Sequence, residues 1–313
     1  MENLTAVHHA PLTPRPLSSG YRKKRFVAHF APCSGGFLMR SRLPAVLSLS
    51  ALLAACSTAP QDTPQAVTTP TGAVAATAPE TRPATLILED GTRQQVTGIV
   101  RDGYLLLEDD IILADLNDLT PLGTYVIDTR LRWTARTIPY TFASNVPQAI
   151  RDRVAQAAAT IGSTTNMIVK PRTTQSNYVQ ITYNTGTSCA SGLGMTGGRQ
   201  TITLADRCTT GTIIHEFGHT LGLFHEQTRP DRDQFVQIQW NNIPADWQSQ
   251  YQIRSGSKGY GTYDFDSIMH YPATFDGKLA IKPLDASVDL NRMGQRNGYS
   301  TTDKANINFM YPR

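Results

Sequence analysis

"HEFGHTLGLFHE", residues 215–226, sets three histidines four and then six positions apart. The chain holds seven histidines, and His8, His9 and His29 lie near its start, so three of the other four fall within eleven positions. On an α-helix, residues four apart share a face. His215 and His219 therefore present two imidazoles to one point, with Glu216 beside them. This is the H-E-x-x-H pattern, in which the histidines hold zinc and the glutamate is a general base rather than a ligand. A continuing helix, at about 100° per residue, would carry His225 roughly 240° away from His219. The helix must stop, and Gly222 stands where a left-handed residue ends it and swings His225 back under the same point.

Downstream, "YDFDSIMHYP" (263–272) places Met269 after the histidines. H-E-x-x-H-x-x-G-x-x-H followed by such a methionine is the metzincin signature; alone, Met269 would read as core filler. Glu226 follows His225 in "HEQTRPDRD", and Tyr271 lies two residues after Met269. Together with "IPYTF", "PRTTQSNYVQI" and "QTITLADRCTTGTIIHE", these features resemble the astacin family of zinc endopeptidases over about residues 124–313.

The resemblance implies one Zn²⁺ per chain on His215, His219 and His225, with Tyr271 as a further resting ligand that swings away to stabilise the tetrahedral intermediate. Glu216 takes the proton of the attacking water and passes it to the leaving amine. Glu226 matches the family glutamate tied to the mature N-terminus, and Cys189 and Cys208 match a family disulfide near the cleft. His270 reads as structural. Peptide-bond hydrolysis of a protein substrate is the activity implied, with a non-catalytic surface protein of the same fold as the other reading. Lys278, Lys282 and Arg292 are compatible with acidic substrate residues and equally with solvent.

Around these motifs the residues read as α+β. "TIPYTF" and "NYVQITY" are strand-like, the second alternating by twos. Val146, Ile150, Val154, Ala158 and Ile161 repeat at helical spacing. "QTITLA" is another strand, and the zinc helix follows from Thr212. The expected architecture is a two-lobed metzincin fold. Its upper lobe is a twisted mixed β-sheet with long helices, including the zinc helix. The irregular lower lobe carries the Met-turn and a C-terminal helix from near Ser300.

The formal charge of +4 is concentrated at the front: residues 1–55 contain seven Lys/Arg and one Asp/Glu, leaving 22 and 24 in the remainder, a net of −2. No basic stripe with interleaved aromatics supports a nucleic-acid partner. From Met39, "MRSRLPAVLSLSALLAAC" reads as an export signal, too short an apolar run to span a bilayer. Its end resembles a bacterial lipobox, which makes Cys56 the lipidated mature N-terminus. The expected organisation is therefore a mis-assigned extension at 1–38, a lipoprotein signal peptide at 39–55, a Thr/Pro/Ala-rich tether at 56–84, a propeptide-like β-meander at 85–123 and the catalytic domain at 124–313. The protein is expected at the cell envelope, anchored by lipid or secreted, as a monomer. Cysteines bonded in an oxidising compartment agree with export.

Asp90-Gly91 and Asp102-Gly103 mark hairpin turns in the meander. Family propeptides block zinc with the aspartate of an F-x-G-D segment. "LEDDI" (107–111) is similar and makes Asp110 the inhibitory switch, although the aromatic and the glycine are missing. Two adjacent acids at a strand end read equally as a solvated turn.

Overall fold

The β-rich run becomes four strands because short apolar runs, buried on both faces in the last two, are separated by tight turns. In the computed structural model, which describes residues 79–116, 125–128 and 132–313, these are β1 (Thr81–Ile87), β2 (Arg93–Arg101), β3 (Tyr104–Leu107) and β4 (Ile111–Asp115), each antiparallel to the next. The described residues belong to one compact unit, Gly72–Arg313; Met1–Thr71, with the extension, signal peptide and Cys56, lies outside them. Asp102 and Gly103 are both left-handed (φ 49° and 83°), the two-residue turn that suits the twist of paired strands. At the other turn Gly91 takes φ 86°, and the Asp90 carboxylate accepts from the Thr92 amide at 2.8 Å.

Composition places the end of the tether at residue 84, but β1 already starts at Thr81. Thr81 pairs with Ile99, and from Ala84 onward the strand also pairs in parallel with β5 (Tyr125–Asp128). Backbone pairing with β2 brings Thr81, Arg82 and Pro83 into the strand although their side chains alone predict no core.

The remainder supplies β6 (Thr137–Phe142), α1 (Gln148–Thr164), β7 (Ile168–Pro171), β8 (Tyr178–Tyr183), β9 (Ala190–Gly192), β10 (Arg199–Leu204) and α2 (Thr210–Thr220). One ten-stranded sheet results, ordered β5-β1-β2-β3-β4-β9-β10-β8-β6-β7. The joint is β4 against β9, parallel, with Ile111 opposite Ser191 and Ile112 opposite Gly192. The meander thus continues the sheet along an edge strand that would otherwise bound the cleft.

α1 buries Ile150, Val154, Ala157, Ala158 and Ile161, the expected stripe; Val146 is also buried but precedes the helix. These side chains meet Ile138, Val179, Ile181, Ile202, Leu204 and Phe217 in the main core. Each such burial contributes about 1.5–3 kcal/mol. A second core unites Leu86, Leu105, Leu107 and Leu113 of the meander with Leu193 and Phe224.

After α2 the chain is mostly irregular: β11 (Val236–Ile238) pairs with β14 (Ile281–Pro283), β12 (Thr274–Phe275) pairs with β13 (Lys278–Leu279), and α3 (Thr301–Met310) closes the fold. Ser300 caps α3 in a reciprocal capping box with Asp303. Asp303 also accepts from Ser267 Oγ (2.7 Å) and the Ile268 amide (2.9 Å), tying α3 to the turn that carries Met269. Asp303→Ala orphans three donors at once and should lower stability by about 2–4 kcal/mol; denaturant unfolding with an unchanged m value would show it.

Cys189 and Cys208 are disulfide-linked, with Cα atoms 6.0 Å apart across a separation of 19 residues. Closing such a loop restricts the unfolded chain by about 3 kcal/mol. Cys189→Ser is expected to lose roughly that much in a denaturation midpoint measured without reductant; an unchanged midpoint contradicts it.

Candidate active site

α2 begins where Thr209 caps it, its Oγ1 accepting from the Thr212 amide at 3.2 Å, and both its faces are buried. It ends at Leu221, and Gly222 follows at φ 101°, donating to His219 O at 2.8 Å. A side chain there is strained by that φ, so the glycine reverses the chain and returns His225 towards α2. Met269 lies directly beneath: a Cβ on Gly218 would stand 2.5 Å from its Sδ. The glycine inside H-E-F-G-H is therefore a packing requirement of the Met-turn.

The three imidazoles converge. His215 Nδ1 donates to Ile268 O at 2.7 Å and His219 Nδ1 donates to Leu223 O at 2.8 Å. A carbonyl can only accept, so both Nδ1 atoms carry the proton and both Nε2 atoms face inward as lone pairs. These two Nε2 atoms stand 3.2 Å apart with no proton to share. His225 Nδ1 donates to Glu108 Oε2 at 2.7 Å. Burial pushes the pKa of this ring down, but Asp110 and Glu108 outweigh it and raise it to about 9, so its Nε2 takes the same role once a cation replaces the proton there.

Asp110 enters this cluster from the meander. Its Oδ2 lies 3.2 Å from Nε2 of both His215 and His225, and its Oδ1 lies 3.4 Å from Nε2 of His219. One atom from each of these four residues falls within 4.8 Å of the others. Three inward lone pairs around a carboxylate repel one another unless a cation sits between them, and three His nitrogens with one oxygen suit tetrahedral Zn²⁺. The donor set fits the metal that the sequence implies.

The segment reaching the cluster is held by unusual backbone. Glu108 and Asp109 are consecutive left-handed residues at φ 52° and 65°, a conformation that costs non-glycine residues strain. Asp109 stands where the F-x-G-D pattern has glycine and adopts the backbone a glycine would take. It pairs with Arg101. Glu108 is fully buried and accepts from Arg254 Nε at 2.6 Å as well as from His225. Burial pushes its carboxyl up, but Arg254 and His225 outweigh that and hold it below the usual range.

Glu216 is buried, and its Oε2 has no hydrogen-bond partner. Burial, then the charge of Asp110, pushes its carboxyl well above the usual range, opposed by Arg296. The Tyr271 hydroxyl donates to Glu108 O at 2.5 Å, while its ring stands 4.5 Å from that of His225. Burial, followed by Asp110 and Glu108, keeps this phenol protonated, well above 10.0.

Glu226 accepts from Arg229 (3.0 Å) and from the Asp264 amide (2.9 Å). With Gly222, Arg229 and Asp303 it lines a cavity of about 350 Å³. His270 is buried between Tyr263 Oη and Tyr271 O, both at 2.7 Å, away from the cluster of four. Of the surface cations considered from sequence, Arg292 is exposed and paired with Asp266. The cation beside the cluster is instead Arg296, which donates to Ile268 O at 2.9 Å and interacts with Asp110 and Glu216. Arg254, Arg296 and Glu108 escaped the motif reading. Glu108 stands two residues before Asp110 in "LEDD", which was a usable signal; the two arginines carry none.

Comparison with known proteins agrees with this geometry. The family model described as Astacin, a peptidase family, matches residues 126–312. "Zinc metalloproteinase nas-13" of Caenorhabditis elegans is 37% identical over 198 residues, 59% of this chain and 42% of that protein. "Nematocyst expressed protein 6" of Nematostella vectensis is 34% identical over 67% of this chain and 78% of its own length. Among solved structures, high choriolytic enzyme 1, a hatching enzyme zinc-protease from Oryzias latipes, superposes with a TM-score of 0.52 at 31% identity, covering 57% of this chain and 92% of that one. The chain spans less than half the length of nas-13, so the likeness lies in this one region. On residues 126–312 the chain belongs to the astacin family of peptidases.

Proposed function

We propose that the protein is a zinc endopeptidase held latent by its own meander. One observation carries this reading: the convergence of His215, His219 and His225 with Asp110 as a fourth donor, beside the unpartnered carboxylate oxygen of Glu216. Zinc bound there supplies a Lewis acid for the scissile carbonyl and an acidified water. Glu216 accepts that water's proton and delivers it to the leaving amine. Tyr271, protonated and free to leave the Glu108 carbonyl, donates to the oxyanion of the tetrahedral intermediate. The Nδ1 contacts to Ile268 O and Leu223 O hold two rings in place and keep their Nε2 atoms available.

In the latent state Asp110 fills the position a water or substrate needs, and β4 occupies the edge of β9 where an extended substrate would pair. Removal of the meander opens both. Glu226 then becomes available to a new chain end, for which the adjoining cavity has room. The finer organisation belongs to the same proposal: export, lipid attachment at Cys56, a tether, a mature start near Thr124 and a monomeric state. Cys56, residues 57–78 of the tether and Thr124 lie outside the described residues. Among the described residues no helix is long and apolar enough to cross a membrane.

The test is casein hydrolysis with metal analysis on a chain of residues 57–313 beside one of residues 124–313. Cleavage by the short form alone, with one zinc and loss to chelator, supports enzyme and latency together. Cleavage by both removes the inhibitory role of Asp110. A zinc-bound, folded short form that cleaves nothing moves the non-catalytic reading to the front.

A further inference from the structure

The Tyr271 hydroxyl rests on the main-chain carbonyl of Glu108, and its ring stands 4.5 Å from that of His225 and 5.5 Å from that of Tyr251. Its main chain is held separately, on both sides. The amide donates to Gln227 Oε1 at 3.0 Å, and the carbonyl accepts from His270 Nδ1 at 2.7 Å. An amide N–H needs an acceptor, so Gln227 turns its oxygen and not its nitrogen towards Tyr271. Gln227 is fully buried, and its Nε2 has no partner. An apolar side chain would fill the same space without a stranded donor, so packing alone does not explain the glutamine. Its own main chain is fixed by Arg232, whose Nη1 donates to Gln227 O at 2.7 Å. His270 is held as firmly. A carbonyl can only accept, so Nδ1 carries the proton and Nε2 accepts from Tyr263 Oη at 2.7 Å. The imidazole is fully buried against the rings of Tyr263 and Phe265.

Every partner in this clamp belongs to the catalytic region. Of the Tyr271 hydrogen bonds only that of the hydroxyl reaches the meander, so departure of the meander frees the phenol and leaves the clamp in place. The clamp also ties the phenol to a zinc-facing histidine. The Glu226 amide donates to Met269 O at 3.0 Å, and Gln227 extends that pairing by one side chain to Tyr271, two residues after His225. Resting on the reading that Tyr271 donates to the oxyanion, we propose that Gln227 and His270 are positioning residues: they fix the Tyr271 main chain as a pivot, and the phenol reaches the tetrahedral intermediate by side-chain rotation alone. A loose main chain would add a second freedom just when the donor must be aligned, and misplacing a reacting group by about 1 Å can cost roughly 10²-fold in rate. The glutamine side chain thereby acts on the reaction through Tyr271, without touching substrate itself.

The full chain, activated by limited proteolysis, is compared as wild type, Gln227→Leu, Tyr271→Phe and the double variant. Tyr271→Phe should lower kcat by about 10²–10³-fold, the range for loss of an oxyanion donor. Gln227→Leu should lower kcat by about tenfold at nearly constant KM. It should weaken binding of a phosphinic peptide, whose tetrahedral phosphorus copies the intermediate, by a similar factor. In the Tyr271→Phe background Gln227→Leu should add no further loss, because the group it positions is gone. Gln227→Glu keeps an acceptor oxygen and should stay closer to the wild-type rate. Equal losses from Gln227→Leu in both backgrounds overturn the pivot, and so does a wild-type kcat for Gln227→Leu. A crystal structure of the wild-type enzyme with the phosphinic peptide decides even if a variant misfolds. The Tyr271 hydroxyl on a phosphinyl oxygen, with both main-chain contacts kept, supports the pivot; loss of the contact to Gln227 or to His270 overturns it. Full activity of Tyr271→Phe rejects the oxyanion reading itself, a result distinct from a Tyr271→Phe loss that Gln227→Leu does not share.

Discussion

Glu216→Gln in the activated enzyme is expected to leave zinc content and stability unchanged while kcat falls by about 10²–10⁴-fold, the range for loss of a positioned general base. Gln keeps the volume of the side chain but cannot hold a proton in transit. The structural basis is specific: Glu216 is buried on α2 between two zinc-facing histidines, and Oε2 is left without a protein partner. A purely structural glutamate in that setting would be hydrogen-bonded at both oxygens. Its loss would appear as a lower unfolding midpoint, whereas the proposed role appears as a rate change at constant midpoint. Elemental analysis with steady-state kinetics separates the two, and retained turnover would reject the base.

Asp110→Ala in the full chain is expected to act in the opposite direction. Casein hydrolysis should rise by roughly tenfold to hundredfold, or about 1.4–2.8 kcal/mol at 1.4 kcal/mol per tenfold. The substitution removes the fourth donor but leaves Glu108 on Arg254 and β4 paired with β9. Release should therefore fall short of that reached by proteolytic removal of the meander. Adding Glu108→Ala should bring the two closer and more than additively, because the residues lie in one network around His225. Full-chain activity that ignores Asp110→Ala would mean that strand pairing alone, or nothing in the meander, maintains latency.

The histidines, the glutamate, the turn glycine and the methionine were legible because each is demanded at a fixed spacing by helix geometry or by metal chemistry. Three apolar stretches of the meander were legible for a local reason, since Asp-Gly pairs bound them; the further break between β3 and β4 at residues 108–110 was not. Nor was the meander's junction with the catalytic sheet, because parallel pairing of β4 with β9 depends on backbone groups that every sequence possesses. Strands β7 and β9 went unread because each is too short to show a period.

For this protein, then, the sequence by itself pointed to the chemistry: which histidines face a metal, where the helix between them must end, and which carboxylate stands beside them. The controls on that chemistry were only partly legible: the resemblance named Asp110, and tertiary structure supplied the rest. It placed Asp110 against the three histidines, set Glu108 between Arg254 and His225, and gave Asp109 the left-handed backbone expected of a glycine. The division follows from range. Ligand spacing along one helix is a property of neighbouring residues, whereas contacts between positions more than a hundred residues apart arise only when hydrophobic burial and sheet pairing bring two segments together.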